Sequence, residues 1–269
     1  MHQSLDDIAE LAEDLGNRFL SKGKVNLERI AKVKRIRFIE GNYGSHFLGQ
    51  LVHYENCFYI ILNTDQLAES ESGRVRFTIA HELGHYFIVG HRSQLENGIS
   101  LSFKNEMNEQ DCKKDDIAAN HFAANLLMPK GHFISQANKL ELGLAGIYEL
   151  KRKYDTSIES TVKQYINLDL SSSVLIRWRS NFTFHYAWSS NSFSKITGFN
   201  NPLPIRFDSE YIMKQVQLID TTDSDYIESA SPLSRWISTV LQGSVKDILG
   251  LEQTVKLGDF GGITLLTFQ

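Results

Sequence analysis

The chain has 269 residues, 42% of them hydrophobic and 22% charged, with a formal net charge of −4. That size and composition suit one large or two modest globular domains, and the mild acidity excludes a broad basic field for gripping nucleic-acid phosphates. Cys57 and Cys112 make no disulfide framework, no apolar run reaches the roughly 18 residues that span a bilayer, and an acidic, amphipathic start in place of a secretory signal predicts a cytoplasmic protein.

Leu5, Ile8, Leu11, Leu15 and Phe19 recur at helical spacing and predict an amphipathic helix over 5–20. A short helix follows around Leu27–Val33. From Arg35 the pattern turns extended: RIRFIE, HFLGQLVHY and NCFYIILN, parted by Gly- and Asn-containing turns, predict a three-stranded sheet ending near Phe58–Asn63. A helix over about Gly73–Val89 carries Val75, Ile79, Leu83 and Phe87 along one stripe. The polar, weakly patterned stretch Arg92–Lys114 reads as a loop, and a further helix over Asp115–Met128 stops at Pro129. Residues 141–167 read helix, turn, helix. Beyond Ser171, VLIRWRS and FTFHYAW suggest a hairpin, Leu233–Leu241 a helix, and GGITLLTF a closing strand. The expected class is α+β. A small sheet and a helical bundle fill residues 1–170, including the helix-turn-helix-like segment 141–167, and a smaller β-containing module fills 171–269. Nothing in the pattern of that module names a ligand, because alternation in half-buried strands explains its aromatic residues.

The chemistry concentrates in His81-Glu82-Leu83-Gly84-His85. Residues four apart on a helix are offset by only about 40°, so two imidazoles project side by side and can take adjacent corners of a tetrahedral zinc site. Glu82 stands about 100° round the helix from His81. It therefore reaches a water beside the metal rather than the metal itself, the position of a general base in peptide hydrolysis. A third protein ligand is needed. His91 lies six residues after His85, but the sharp turn that such spacing demands has Ile88, not glycine, at its usual glycine position. The other candidates are Asp115 and Asp116 at the head of the later helix, where Asn120, one turn after Asp116, is placed to orient a ligand. Asn63, closing the strand before the helix, is a candidate contact for substrate backbone, and Tyr86 and His121 are candidate oxyanion donors.

Three stretches in order, YIILNTD, RVRFTIAHELGHYFIVGH and DDIAANHFAANLLMP, resemble the ImmA/IrrE family of metallo-endopeptidases. The resemblance covers roughly residues 25–130, and more loosely the segment to about 167. It implies a zincin-like core with Zn²⁺ as cofactor. The family's ligands fall on His81, His85 and the acidic residue four before the Asn of A-N-x-F-A, which is Asp116, with Glu82 as the catalytic base. The family usually has Glu where this chain has Asp116, so the ligand arm is one methylene shorter. The resemblance also implies a protein substrate, a Cro/CI-like repressor or an antitoxin, in a stress, phage or mobile-element circuit. The alternative is a catalytically weak or inactive zincin-fold regulator acting by protein binding. Direct DNA binding through 141–167 fits less well, since its second helix is not notably basic.

Overall fold

A computed structural model describes residues 3–67, 72–99, 109–198, 203–222, 224–237 and 248–268, the side chains of 109–113 excepted. The backbone gathers into two compact units. The first comprises Met1–Ser135 with Lys151–Ser157, the second Gln136–Leu150 with Ile158–Gln269.

The first unit opens with α1 (Leu5–Phe19), started by a capping box in which Ser4 and Asp7 satisfy each other's backbone N–H groups. A minimal pair, β1 (Leu20–Ser21) and β2 (Lys24–Val25), leads to α2 (Leu27–Val33), capped by Asn26. Then come β3 (Arg37–Gly41), β4 (Gly49–Tyr54) and β5 (Cys57–Asn63). Glu55 and Asn56, both at positive φ, make the tight turn between β4 and β5. The sheet order is β3-β5-β4, with β3 parallel and β4 antiparallel to β5, so β4 is an edge strand.

After α3 (Thr64–Leu67) come α4 (Ser72–Phe87), α5 (Val89–Glu96), α6 (Glu109–Leu127) and α7 (Lys130–Ala137). The structure corrects the expected loop over Arg92–Lys114. Residues to Glu96 are helical, α6 begins at Glu109, and 100–108 lie outside the described residues. Amphipathic burial drives the packing. α6 inserts Ala119, Phe122, Ala123 and Leu126, each fully buried, against α4 and α1, and α4 buries Ala80 and Leu83 in return. At the head of α4, Ser72 donates to Asp155 from the Lys151–Ser157 segment, and Lys24 and Arg76 turn to the same carboxylate at 3.0 and 3.9 Å.

The second unit holds the start of α8 (Leu144–Tyr154) and α9 (Ile158–Asn167), the expected helix pair. It continues with β6 (Ser172–Trp178), β7 (Phe184–Ser189), α10 (Asn191–Thr197), α11 (Ser209–Thr222), β8 (Ile227–Pro232), α12 (Leu233–Trp236), β9 (Leu249–Lys256) and β10 (Gly262–Phe268). These strands form a five-stranded antiparallel sheet, β7-β6-β10-β9-β8, with the expected closing strand β10 at its centre. Trp178, Phe193, Ile212, Trp236 and Leu266 pack the core over one face. The expected helix over Leu233–Leu241 is shorter: it ends at Trp236, Ile237 bridges Ile205, and 238–241 lie outside the described residues. Among the described residues no helix is long and apolar enough to cross a membrane.

Candidate metal centre

The motif occupies the C-terminal half of α4, where burial is deepest. Glu82 is 6% and His85 5% exposed. Two glycines let neighbouring elements approach this half of the helix. A Cβ on Gly84 would lie 3.1 Å from the Ala119 carbonyl oxygen of α6, and one on Gly49 would strike the Thr78 methyl at 2.5 Å. With no side chain at Gly84 of α4 or at Gly49 of β4, α6 and β4 press on α4 from different sides.

The result is a convergent cluster. His81 Nε2 and His85 Nε2 are 3.1 Å apart, and Asp116 Oδ1 stands 3.6 Å from the first and 3.8 Å from the second. Among the described residues this is a group with metal-holding potential. Ligand bonds of 2.0–2.2 Å in a tetrahedral site give edges of about 3.3–3.6 Å, so the three atoms trace one face of such a site. The hydrogen bonding of the rings fits the same use. His81 Nδ1 meets Asn120 Oδ1 at 2.9 Å, which puts the ring proton on Nδ1 and leaves the Nε2 lone pair facing the cluster. Burial pushes the pKa of His85 well down, and the neighbouring His81 and His91 add to the effect, so that ring is held neutral as a ligand must be.

Glu82 stands beside the cluster rather than in it. Its Oε2 accepts a hydrogen bond from the Leu51 N–H of β4 at 2.7 Å, while its Cγ and Oε1 lie along Gly49. Burial raises its pKa above the ordinary carboxylate range, against the pull of His81 and the Leu51 amide. That is the direction a general base working near neutral pH requires.

The other sequence candidates are placed differently. His91 Nδ1 meets His85 Nδ1 at 3.0 Å, on the edge of the His85 ring remote from the cluster, and its Nε2 meets Asp115 Oδ1 at 3.0 Å. Asn63 is fully buried, and its side chain is engaged inside the fold. Its amide donates to the carbonyls of Gly44 and Phe47 and accepts from the Tyr43 and Asp65 amides, so it clamps the loop that feeds β4. Tyr86 packs edge-to-face on Phe58 and beneath the Arg92 guanidinium, and His121 approaches Asn125, so packing accounts for both. An open cavity of about 400 Å³ lies at the opposite end of α4, lined by residues including Ser72, Gly73 and Asp155. Its carboxylate, Asp155, is already bonded to Ser72 and Lys24, so no hydrolytic set is assembled there.

Residues 51–164 match the model of the family described as Peptidase_M78, IrrE N-terminal-like domain. That match supports the resemblance of this segment to the ImmA/IrrE family. The match runs from β4 to α9 and so takes in the edge strand, the His81–His85 helix and α6. The matched model is that of a peptidase family. Among solved structures, a transcriptional regulator of Mycobacterium tuberculosis is similar over 97% of this chain and 76% of its own, with a TM-score of 0.60 and 15% identity. That likeness concerns the fold, a mixture of helices and sheets extending well beyond the IrrE-like segment. A search of curated proteins finds no match.

Proposed function

We propose that this chain is a zinc-dependent endopeptidase whose substrate is a partner transcription repressor of the Cro/CI type, within a stress, phage or mobile-element circuit. The observation that carries this reading is the triangle of His81 Nε2, His85 Nε2 and Asp116 Oδ1 beside the buried Glu82 carboxylate. In this assignment His81, His85 and Asp116 hold Zn²⁺, which when bound supplies a Lewis acid and lowers the pKa of water to about 7. Glu82 takes the proton of the attacking water and delivers it to the departing amide nitrogen, its raised pKa suiting both transfers. Leu51 fixes the carboxylate during this exchange by donating its backbone N–H. The IrrE-like segment and the likeness to a transcriptional regulator support a regulatory peptidase over a digestive one.

The second reading, a zincin-fold regulator with little hydrolysis, is favoured by the short Asp116 arm and its exposure of 63%. One experiment separates the two. The purified chain is analysed for zinc and incubated with Cro/CI-type repressors of its own genome. Cleavage that Glu82→Gln abolishes while zinc stays bound supports the peptidase. Zinc binding and repressor binding without any cleavage support the regulator.

A further inference from the structure

The sequence offers His91 and Asp115 as rival metal ligands, and the structure gives each an unexpected neighbour. Asp115 Oδ1 meets His91 Nε2 at 3.0 Å, and His91 Nδ1 meets His85 Nδ1 at 3.0 Å. His85 in turn points Nε2 at the cluster. The three side chains form an unbroken line that ends where a metal would sit, and His91, 5% exposed, is buried in it.

We propose that His91 and Asp115 are positioning residues that fix the tautomer and ring orientation of His85 for metal binding, an inference resting on the metal-centre reading above. A carboxylate oxygen only accepts hydrogen bonds, so His91 carries its proton on Nε2. A neutral His91 then presents a lone pair at Nδ1, and the bond to His85 requires the proton on His85 Nδ1. The His85 Nε2 lone pair is left facing the cluster. Asn120 does the same for His81 through its side-chain oxygen. Each imidazole of the motif thus has its own acceptor behind it, one on α6 and one relayed from α6 through α5. A neutral imidazole without such a partner distributes its proton over both nitrogens, and each ring found with the proton on Nε2 cannot bind metal until it shifts.

The test uses the full chain, Zn²⁺ affinity measured by chelator competition, and ¹⁵N chemical shifts of the histidine ring nitrogens in the metal-free protein. In the wild type the proton of His85 is expected on Nδ1. His91→Leu should move it toward Nε2 and weaken Zn²⁺ binding about 10–100-fold. His91→Gln, which restores an acceptor oxygen, should recover most of that affinity. Asp115→Leu, at a position 25% exposed, should weaken binding in the same sense and serves as the second variant if His91→Leu folds poorly. The Co²⁺ absorption band should keep its wild-type shape in every one of these variants, because no ligand has been removed. Wild-type affinity together with an unmoved His85 proton in His91→Leu would overturn the proposal. So would a Co²⁺ band showing a lost ligand in His91→Leu or Asp115→Leu. Failure of the wild-type chain to bind Zn²⁺, or indifference of binding to His81→Ala, overturns the metal-centre reading itself and the positioning role with it.

Discussion

Gly84 lies against Ala119 at the crossing of α4 and α6, with room for a hydrogen and no more: an added Cβ would sit 3.1 Å from the Ala119 carbonyl oxygen and 3.2 Å from its Cα. Asp116 stands one helical turn before Ala119. The closeness of the crossing is what lets an aspartate, one methylene shorter than glutamate, bring Oδ1 within 3.8 Å of both imidazoles. Gly84→Ala should therefore act at a distance from its own position. Alanine favours the helix by about 1 kcal/mol over glycine, so Tm should change little, while Zn²⁺ affinity should fall about tenfold as α6 moves back by a few tenths of an ångström. Chelator competition on the folded variant measures this; unaltered affinity would mean that the crossing does not set the reach of Asp116.

Removing the arm altogether is the stronger perturbation. Asp116→Ala should lower Zn²⁺ affinity by more than 100-fold, beyond the range of about 10–100-fold for changes behind the ligands. With its side chain 63% exposed, the metal-free variant should match the thermal stability of the metal-free wild type. Retention of tight binding would remove Asp116 from the ligand set.

Asn63 should behave as scaffold. Asn63→Ala takes the acceptor from the Tyr43 amide and a donor from the Phe47 carbonyl, while the Gly44 carbonyl keeps Gln66, at about 1–3 kcal/mol in total for the part-buried groups left unsatisfied. The expected outcome is a clear drop in Tm, with Zn²⁺ affinity changed less than threefold. A variant of normal stability that has lost substrate binding alone would restore the substrate-contact role.

In the second unit, Glu159 sets a pH dependence. Burial pushes its pKa up, but Lys163, the Tyr186 hydroxyl and Arg177 overcome this and hold it at about 2. The folded value lies below the ordinary one of about 4.3, so its contribution is complete above that pH. It is lost as pH falls from there toward 2, and amounts to on the order of 2 kcal/mol after allowance for partial exposure. Urea denaturation at pH 6 and pH 3 should show the wild type losing more stability than Glu159→Gln over that interval. Parallel losses would place the stabilising charge elsewhere.

Most of the first unit was legible because its signals are local. α1, α2, the three strands and α4 each combine a clean hydrophobic period with a cap or turn residue, and the motif on α4 marks the face where the His81, His85 and Asp116 cluster forms. α5 escaped because its polar sequence buries little beyond His91 and Leu95; tertiary contact rather than pattern sustains it. β9 escaped for a different reason. Glu252, Gln253 and Thr254 are polar yet at most 2% exposed, because each has a dedicated partner. Trp236 and Tyr211 donate to Glu252, Gln253 accepts from the Leu144 amide, and Thr254 meets Thr264. A reading that seeks apolar alternation passes over such a strand. The clamp by Asn63 and the line from Asp115 through His91 to His85 are likewise invisible in sequence, since both depend on which atom of a side chain meets which partner.

The Asp155 carboxylate, which takes Ser72, Lys24 and Arg76, has a consequence for biosynthesis. The sheet and the motif helix emerge from the ribosome early, but the segment Lys151–Ser157 that completes their unit follows only after Gln136–Leu150, which belongs to the other unit, has been made. Domains usually fold in the order of their translation. Here the nascent first unit has to wait, with the head of α4 lacking its acceptor, until the chain has passed residue 157. Ribosome-stalled chains ending before Lys151 should then be more protease-sensitive around Ser72 than chains that extend past Ser157.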